Sequence, residues 1–551
     1  MPALSTVRVR FSGAILTRDQ MLPGSDIVTF PFFFMSNMVL PFAIAASLVA
    51  AAVAYFTSPT EQDRAVCELP TPRSTLPVLK NTLDLTIRQR ARIYDWILEQ
   101  CREHGGRPWR VRVLGRPPAV ILSSPEAMEG VLKTQFDVFV KGSAVAEISH
   151  DLLGEGIFTV DGSKWRHQRK AASHFFSMNM IKHAMEHVVR DHSALLAVKL
   201  RAAADNGETL NIKRVFDFFT MDIFTKIGFG VELKGLETGG NCDFMEAFER
   251  ASRRIMARFQ QPMCVWKLAR WLNVGAERQM AEDMKLINGV VYDVIHRSLE
   301  GNDKRSSCSG RKDLVSLFLE KASVEYAADD HTEMTPTMLR DMSMVFIFAG
   351  RDSTSLTMTW FIIEMNRHPE VLANVRRELA DKLPKLGMDD TETPSVEDID
   401  QLVYLEAAIR ECIRLNPVAP AMQRTAAQDT TLYNGTVIKA GTRVILPHYA
   451  MGHLETVWGP DAEEFKPERW IDADTGKLLH VSPFRFTAFL AGPRMCLGMR
   501  FALAEMKITL ATILSKFDLQ TVENPDGFTY IPSVTLQVKG PVDVAITRAH
   551  A

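Results

Sequence analysis

The chain has 551 residues, of which 46% are hydrophobic and 24% are charged. This composition supplies enough apolar side chains for a large core and excludes an intrinsically disordered protein. The 64 Lys and Arg residues are balanced by 66 Asp and Glu, so the net charge of −2 excludes a strongly basic chain that follows nucleic-acid phosphates, and we expect no nucleic-acid partner.

The N-terminal part of the chain has the pattern of a membrane anchor. No charged residue occurs between Asp26 and Glu61, and residues 38–56 are almost entirely apolar. A helix of this length spans roughly 28 Å, close to the hydrocarbon thickness of a bilayer. We therefore expect an N-terminal segment over 1–37, a transmembrane helix over 38–56 and a proline-containing hinge over 57–80.

Two other interpretations of the apolar run remain open. A cleaved signal peptide has a similar run, although its apolar core is usually only about 7–15 residues long. A mitochondrial presequence is also compatible, because residues 1–18 contain three arginines and no acid. The flanking charges leave the orientation undecided, since basic residues lie on both sides of the run.

Helical patterns dominate the remaining residues, 81–551. The longest predicted helix runs from Pro336 to His368, with Thr335 as its N-cap and Pro369 beyond its end. Strand-like runs are short and occur at three places, residues 109–114, 119–122 and 437–446. The sequence therefore predicts a mainly α-helical fold with small β-sheets.

Three motifs in this part of the chain combine polar residues with helical spacing. Trp165 and Arg169 lie four residues apart and share a helix face, as in many amphipathic surface helices. Glu411 and Arg414 lie three apart, a spacing that most often gives a solvated surface ion pair. AGRDSTS at 349–355 places polar residues in an otherwise apolar helix, where back-bonded hydroxyls and an ion-paired acid are common.

The most distinctive motif is FLAGPRMCLG at 489–498. Apolar residues recur after it at spacings of 3 and 4, which places Cys496 on a loop at the N-terminus of an amphipathic helix. Gly492 and Gly498 let the backbone approach a flat ligand, because neither has a Cβ. The positive helix end favours the thiolate of Cys496, and Arg494 is available for an anionic group such as a propionate. A small buried cysteine is the ordinary alternative.

This loop resembles the haem-binding signature of the cytochrome P450 family, the haem-thiolate monooxygenases, at five positions: Phe489, Gly492, Arg494, Cys496 and Gly498. The resemblance covers essentially everything after residue 70. It implies the cytochrome P450 fold. Because all the motifs must then converge on one porphyrin, it implies a single large domain behind the anchor, rather than the three or four domains suggested by length.

The resemblance implies haem b as the cofactor. Cys496 would ligate the iron, and Trp165 and Arg169 would hold a haem propionate. Ala349 stands where some animal-type fatty-acid hydroxylases carry a Glu that esterifies the haem. We therefore expect the haem to be bound non-covalently.

The resemblance also implies a structural cluster behind the haem. Its members would be Glu411, Arg414 and Arg469, the last within FKPERW at 465–470. Such a cluster would be buried and would take no part in the chemistry. Breaking a buried ionic network of this kind costs roughly 3–5 kcal/mol.

The motif AGRDSTS would lie beside the reacting oxygen. Ala349 and Gly350 would leave room for dioxygen, since Gly inside a helix suggests a packing need. Asp352, Ser353 and Thr354 would hold the water that delivers protons. The family usually has Thr directly after the acid, whereas this chain has Ser353 there and Thr354 next, so either hydroxyl can face the oxygen.

The stretches 151–170 and 457–470 look most like the membrane-bound fatty-acid ω-hydroxylases of plants and fungi. The resemblance implies hydroxylation of a lipophilic substrate, such as a long-chain fatty acid, with O2. The chain has no Gly-rich fingerprint for NADPH or flavin, so electrons would come from a separate NADPH-cytochrome P450 type flavoprotein reductase. The implied location is the endoplasmic reticulum membrane, with one transmembrane span and a cytosolic catalytic domain.

Three other functions remain open. The substrate of the hydroxylase can instead be a sterol or a secondary metabolite. A reductase-independent isomerase of lipid hydroperoxides is disfavoured by the intact Asp352-Ser353-Thr354, because that chemistry needs no proton relay. A non-enzymatic haem carrier or sensor would also bind haem, and it too is disfavoured by the acid and hydroxyl residues.

Overall fold

The computed structural model describes residues 47, 58–240, 242–305, 335–389 and 391–549. The chain divides into two compact units, Met1–Ser58 and Pro59–Ala551. Apart from Ser47, the anchor expected at 38–56 lies outside the described residues. Within the described ranges, every helix is too short or too polar to cross a bilayer.

Helices make up most of the larger unit, which confirms the predicted mainly helical fold with small sheets. The α-helices are α1 (Glu61–Ala65), α2 (Ile93–Glu103), α3 (Pro125–Glu129), α4 (Ser143–Leu153), α5 (Gly162–Phe175), α6 (Met178–Ala184), α7 (Arg190–Asn206), α8 (Ile212–Phe229), α9 (Gly235–Thr238), α10 (Cys242–Gln260), α11 (Met263–Trp271), α12 (Gly275–Arg305), α13 (Pro336–Ile347), α14 (Ser353–Arg367), α15 (Pro369–Lys382), α16 (Pro384–Met388), α17 (Val396–Ile399), α18 (Val403–Leu415), α19 (His448–His453), α20 (Glu455–Trp458) and α21 (Met499–Leu514). Short π-helical turns lie at Asp84–Arg88, Gly130–Thr134, Met185–Val189 and Phe348–Asp352. Short 3₁₀ turns lie at Arg90–Arg92, Pro467–Trp470, Thr487–Phe489, Gly492–Arg494 and Pro525–Gly527.

The strands are short and form small sheets at the edges of the helical body. They are β1 (Trp109–Val111), β2 (Ala119–Ile121), β3 (Phe139–Val140), β4 (Thr209–Asn211), β5 (Met422–Ala426), β6 (Thr430–Thr431), β7 (Val437–Ile438), β8 (Arg443–Leu446), β9 (Phe517–Thr521), β10 (Tyr530–Ile531), β11 (Gln537–Val538) and β12 (Asp543–Arg548). The largest sheet has the order β1-β2-β8-β5-β3, with β2 and β8 parallel and its other pairs antiparallel. The smaller sheets are β4-β12-β9, β6-β7 and β10-β11.

Two of the three strand predictions are confirmed, and the third is only partly right. β1 and β2 lie within the predicted runs 109–114 and 119–122. The run 437–446 was expected as one strand, but it contains β7 and β8, which belong to different sheets. The chain turns between them at Gly441, whose φ is +82°. A residue in this left-handed region cannot continue a strand.

The long helix predicted from Pro336 to His368 is interrupted in the middle. Its start is as predicted, since the Thr335 side chain accepts a hydrogen bond from the Met338 N–H. After α13, however, the turn Phe348–Asp352 is π-helical, and α14 then continues to Arg367. A π-helical turn inserts an extra residue and changes the directions of the side chains, often at functional sites. This one falls on the AGRDSTS motif.

The helix α14 lies at the centre of the larger unit. Every residue from Thr354 to Met365 is buried, the pattern of a helix covered on all sides. It packs against α8, α18 and α21. Because α21 follows the Cys496 loop and α14 follows the π-helical turn, this packing brings the two most informative motifs into one region.

Candidate active site

The loop before α21, residues 489–498, carries the candidate ligand Cys496 and is called the ligand loop below. The Cys496 N–H donates a hydrogen bond to the Phe489 carbonyl at 2.8 Å, which closes the loop. The backbone reverses at Leu490 and Gly492, with φ of 58° and 62°. A Cβ at Gly492 would lie 2.1 Å from the carbonyl oxygen of Leu132, so only glycine fits there. The loop is therefore tightly held, while Cys496 itself is exposed.

Opposing effects set the acidity of the Cys496 thiol. Although solvent reaches Cys496, protein surrounds much of the sulfur, and this burial raises the pKa of the thiol. The N–H groups of Gly498 and Met499 and the charge of Arg169 lower that pKa, but by less. The N–H groups at the helix end therefore favour the thiolate as expected, but the effect of burial on the pKa is larger. A thiol that coordinates a metal is deprotonated outright, so coordination itself would supply the thiolate.

Gly498 keeps the space beside the sulfur open. A Cβ at this position would lie 3.3 Å from the Phe176 ring and 4.0 Å from Cys496 Sγ. The first of these distances is tighter than ordinary van der Waals contact, so a larger residue would push on the ligand loop. The two glycines of the motif thus act differently. Gly492 admits a neighbouring backbone, and Gly498 admits a neighbouring ring.

Trp165, Arg169 and Arg494 lie together beside the ligand loop. Trp165 is buried, and the Arg494 guanidinium lies 4.5 Å from the centre of its ring. Arg169 donates to the carbonyl of Met495 at 2.5 Å, and Arg494 donates to Asp161 at 2.7 Å. The structure therefore brings the two arginines predicted to bind propionates to the same side of the loop.

Three buried bases that the sequence analysis missed lie in the same region. Lys141, Arg424 and His448 are only 7%, 1% and 3% exposed, and among the described residues no acid accepts a hydrogen bond from any of their side chains. Arg424 donates to the Gln423 carbonyl, but its Nη2 has no partner in this part of the chain. His448 bonds Thr487 through Nδ1 at 2.7 Å, and its Nε2 is likewise without a partner there. We call Lys141, Arg424, His448 and Arg494 the cationic cluster.

Burial and mutual repulsion destabilise the charged forms of these bases. Burial, together with the nearby Arg494, lowers the pKa of Arg424 to about 9, and the carboxylate of Asp161 opposes this shift. Burial, with Arg424 and Lys141 nearby, lowers the pKa of His448 to about 3. The pKa of Lys141 is lowered well below its ordinary value for the same reasons. His448 is therefore uncharged at neutral pH, and among the described residues Asp161, which pairs with Arg494, is the one acid that acts on both Lys141 and Arg424. A bound anion would favour the charged forms of these bases, so the arrangement fits an anionic ligand.

The small residues of AGRDSTS lie on different sides of the π-helical turn. Ala349 is exposed, and half-buried Ser353 shares its side, because Ser353 Oγ donates to the Ala349 carbonyl. Gly350 is buried, and a Cβ there would lie 2.0 Å from the Phe224 ring. Gly350 is therefore needed for packing against α8. This agrees with the packing need expected of a glycine inside a helix, and Ala349 is the small residue on the accessible side.

The acid and hydroxyl residues of the motif also separate. Asp352 is buried and accepts from Arg351 at 2.7 Å and from the Thr535 hydroxyl at 3.1 Å. Burial raises the pKa of Asp352, and the charge of Arg351 opposes that rise. Thr354 is buried and donates to Glu505 at 3.1 Å. Of the two hydroxyls, Ser353 is thus the one on the accessible side.

Glu411, Arg414 and Arg469 form a compact buried cluster, called the structural cluster below. Arg414 Nε and Nη2 donate to the two Glu411 oxygens at 2.7 and 2.8 Å, and Arg469 Nε donates to Glu411 at 3.2 Å. Trp470 Nε1 also donates to Glu411, at 2.9 Å. The remaining Arg414 donors bond backbone carbonyls between residues 452 and 464. This cluster joins α18 to the chain that precedes the ligand loop.

The site as a whole fits a haem. An accessible thiol lies on a loop in which glycine allows close packing. In the cationic cluster beside it, Arg424 Nη2 and His448 Nε2 have no hydrogen-bond partner among the described residues and could bind two propionates. Within the described ranges, no group of three or more His, Cys, Asp and Glu residues is placed to bind a metal by itself. One feature of the sequence could have pointed to Arg424: it is the only basic residue of its short strand, at a position that faces inward. Lys141 and His448 had none.

Known proteins are similar to this chain over most of its length. Residues 70–541 match the family model described as Cytochrome P450. The chain is 34% identical over 452 residues to cytochrome P450 CYP94D108 of Paris polyphylla, which covers 80% of this chain and 87% of that protein. It is 32% identical over 505 residues to cytochrome P450 94B1 of Arabidopsis thaliana, covering 90% and 95%. It is 34% identical over 459 residues to cytochrome P450 94C1 of the same plant, covering 82% and 88%.

Proposed function

Because the chain belongs to the cytochrome P450 family, we propose that this monooxygenase hydroxylates the terminal (ω) region of a long-chain fatty acid. The family match makes the chain a haem-dependent oxidoreductase that uses O2, a lipophilic substrate and a redox partner. It also identifies the larger unit as the cytochrome P450 fold in one domain. The substrate class and the position of attack are the parts that we propose.

The observation that carries the proposal is the pairing of an accessible thiol with a buried cationic cluster. Cys496 would bind the iron, and Arg424, Arg494 and His448 would bind the propionates, with Arg169 and Trp165 beside them. When bound, haem supplies the activation of dioxygen that no amino-acid side chain provides. Ala349 offers no carboxyl for an ester link, so the haem would be held non-covalently.

Residues in the π-helical turn and directly after it would bind water and transfer protons. Hydroxylation of RH by O2 consumes two protons and two electrons and gives ROH and water. Ser353 lies on the same side as Ala349, so its hydroxyl is placed to hold a water beside the reacting oxygen. Asp352 would orient this turn through Arg351 and Thr535.

The aromatic residues in and around the π-helical turn form an apolar surface that suits an alkyl chain. The half-buried ring of Phe348 lies 6.0 Å from Phe158 and 5.6 Å from Phe248, measured between ring centres. Such a surface can hold a hydrocarbon by dispersion and the hydrophobic effect without presenting a polar group. The similarity of 151–170 and 457–470 to fatty-acid ω-hydroxylases supports a fatty acid over other lipophilic substrates.

The partner and location follow from the same proposal. Electrons would come from an NADPH-cytochrome P450 type flavoprotein reductase. Exposed Lys170 and Arg500, which flank the haem motifs, are candidate docking charges. The protein would lie at the endoplasmic reticulum membrane, anchored by residues 38–56, with residues 1–37 before the span and the hinge 57–80 leading to a cytosolic domain over 81–551.

The test has two stages. Reduced protein treated with carbon monoxide should give the absorption band of a haem-thiolate, and Cys496→Ser should lose that band while still binding some haem. Fatty acids of graded length are then added with NADPH and reductase, and the products are analysed by mass spectrometry. Product at the terminal carbon supports the proposal. A nitrogen-ligated spectrum, or turnover only with hydroperoxide, would overturn it.

A further inference from the structure

Two more buried arginines lie next to each other outside the sites described above. Arg116, in the turn between β1 and β2, is 6% exposed, and Arg443, in β8, is 7% exposed. Arg443 donates to the Pro117 carbonyl at 2.8 Å. Burial and the charge of the nearby Arg116 lower the pKa of Arg443 to about 9, and burial lowers the pKa of Arg116 to about 10. Among the described residues, no acid accepts a hydrogen bond from either side chain.

Most other buried arginines of the described ranges have the partner that these two lack. Those that pair with a carboxylate are Arg258, Arg340, Arg351 and Arg414. Arg424, in the cationic cluster, does not, and the proposed function gives it a haem propionate. A charged group that is removed from water without a counter-charge is unfavourable, so Arg116 and Arg443 also suit an anion.

Hydrogen-bond donors remain unused around Arg116. Its Nη1 donates to the Phe259 carbonyl at 3.0 Å and its Nη2 to the Arg258 carbonyl at 2.6 Å, but its Nε has no partner in the described part of the chain. Gln260 and Gln261, the next two residues, each have a buried Nε2 that also lacks a partner there. Buried donors of this kind require an acceptor. We call the group that contains them the hairpin site: Arg116, Gln260, Gln261 and Arg443.

The hairpin site is separate from the cationic cluster. In the largest sheet, Arg443 pairs with Thr425, whereas Arg424 pairs with Val444. Successive side chains along a strand point to opposite faces of a sheet, so Arg424 and Arg443 lie on opposite faces. The anion that suits the hairpin site is therefore a different group from the haem propionates.

The helix α10 connects the hairpin site to the π-helical turn. Phe248, near the start of α10, lies 5.6 Å from Phe348 between ring centres, and Gln260 is the last residue of the helix. Phe248 and Gln260 are twelve residues apart, so about 18 Å of helix separates them. An extended chain advances about 1.2 Å per bond, so an alkyl chain of about sixteen carbons has this length.

We propose that the hairpin site binds the carboxylate of the fatty-acid substrate and thereby determines which carbon is attacked. The proposal rests on the proposed function. With the carboxylate held at Arg116, the far end of a long chain reaches Phe348 and the accessible side of the π-helical turn. A carboxylate accepts several hydrogen bonds at once, so it can satisfy Arg116 Nε and the glutamine amides together. A neutral sterol would leave these donors without a charged acceptor.

The first experiment measures binding to the haem-loaded protein through the change in the haem absorption spectrum. Hexadecanoic acid is compared with its methyl ester, which has the same chain and no charge. The wild type should bind the acid about tenfold more tightly, because hydrogen bonds to a charged group are the stronger ones. Arg116→Gln should weaken binding of the acid about tenfold and leave binding of the ester unchanged.

Arg110→Gln is the matched control for Arg116→Gln. Arg110 lies on the same hairpin and also donates to backbone carbonyls, those of Leu69 and Cys67. This variant should bind the acid and the ester as the wild type does. Equal binding of acid and ester by the wild type, or equal losses for both in Arg116→Gln, would overturn the proposal. So would a lower haem content in Arg116→Gln with an unchanged preference for the acid, since the site would then serve a propionate.

Gln260→Glu tests the charge of the hairpin site with Arg116 intact. The new carboxylate is nearly the same size as the amide and takes the place of the substrate carboxylate beside Arg116. Binding of the acid should therefore fall about tenfold, while binding of the ester stays the same. This variant keeps the test decisive if Arg116→Gln does not fold. An unchanged preference for the acid in Gln260→Glu would contradict the proposal.

The second experiment measures the position of hydroxylation with NADPH and reductase. A chain that is held by its carboxylate presents one end to the site, so the wild type should attack hexadecanoic acid in its terminal region. In Arg116→Gln the products should spread to in-chain positions, and KM for the acid should rise more than kcat falls. The ester should give the same products in both proteins. An identical product distribution from the acid in both would count against the hairpin site.

The two proposals fail in different ways. If the wild type lacks the haem-thiolate carbon monoxide band or makes no fatty-acid product, the proposed function fails, even where the acid binds better than the ester. If the wild type hydroxylates the acid at its terminal region but Arg116→Gln and Gln260→Glu keep the same preference for the acid, the inference about the hairpin site alone fails.

Discussion

The structural cluster and the cationic cluster both contain a fully buried arginine, Arg414 and Arg424, yet the hydrogen-bond partners of these two side chains differ. In the structural cluster, Arg414 bonds both oxygens of Glu411 and three backbone carbonyls. In the cationic cluster, the Arg424 side chain is equally buried, but among the described residues it makes one hydrogen bond, to a carbonyl, and none to an acid.

This difference separates a cation that stabilises the fold from one that serves a ligand. A buried ion pair with all its hydrogen bonds satisfied is costly to break but holds its elements in place. A buried cation without a counter-ion lowers the stability of the protein, and it is compensated only when an anion binds. A buried guanidinium such as that of Arg424, which has a donor without a partner among the described residues, therefore suits an anionic ligand when it lies beside the ligand loop.

The largest expected effect comes from breaking the structural cluster. Glu411→Ala leaves Arg414 without its acid and removes one acid partner of Arg469, so we expect the free energy of unfolding to fall by about 3–5 kcal/mol. Urea denaturation of the haem-loaded protein, followed by circular dichroism, measures this change. Glu411→Gln should lose less, because it keeps some hydrogen bonds. An unchanged urea midpoint in Glu411→Ala would show that the cluster is not stabilising.

A matched pair of arginine variants tests the comparison directly. Arg424→Leu should weaken haem binding by about 1.5–3 kcal/mol, because the propionates lose a charged hydrogen-bond donor. It should not reduce the stability of the polypeptide itself. Arg414→Leu should instead reduce the stability of the polypeptide and leave haem binding unchanged. The rate of haem transfer to an apo-haem acceptor and the urea midpoint, measured on both variants, distinguish the two effects. Similar results for both would contradict the comparison.

His448 should make the protein sensitive to acid. Its pKa in the folded chain is about 3, below the usual value of 6.5, so between these values the unfolded chain binds more protons. This contribution to stability is complete above pH 6.5 and is lost as the pH falls toward 3. The slope is at most about 1.4 kcal/mol per pH unit.

His448→Gln should therefore flatten the acid side of the stability curve. Urea midpoints at several pH values between 7 and 4 measure the slope. His480→Gln, at an exposed histidine, is the control and should leave the curve unchanged. If the stability curve of His448→Gln matches that of the wild type, the pKa of His448 is not lowered in the folded protein.

The smallest effect is expected outside both clusters. Arg166 is exposed and pairs with Asp137 at 3.0 Å on the surface. Arg166→Ala should change the free energy of unfolding by less than about 0.5 kcal/mol, since exposed ion pairs contribute little. Haem retention should be unaffected. A large loss of stability or of haem retention would mean that burial does not determine how much a basic side chain contributes to either property.

Local features of the site were predictable because their determinants are close together in the chain. Thr335 caps its helix because the oxygen and the N–H it accepts from are three residues apart. The ligand loop and α21 follow from the glycine spacing and the helical period after Cys496. At Gly350 the same local reasoning indicated a packing need but could not identify the neighbour, because Phe224 comes from a helix more than a hundred residues earlier.

From the sequence alone one can determine the mainly helical fold class, the thiol on its glycine loop and the resemblance that connects the motifs. These depend on periodicity and spacing within single elements. Only the tertiary structure decided which hydroxyl faces the accessible side. Among the described residues, it also decided which arginine side chains have no acidic hydrogen-bond partner and which buried carboxyl has only a hydroxyl as its partner. The physical reason is that the state of a buried charge depends on neighbours from distant parts of the chain, and Arg424, His448 and Glu505 meet theirs only after folding.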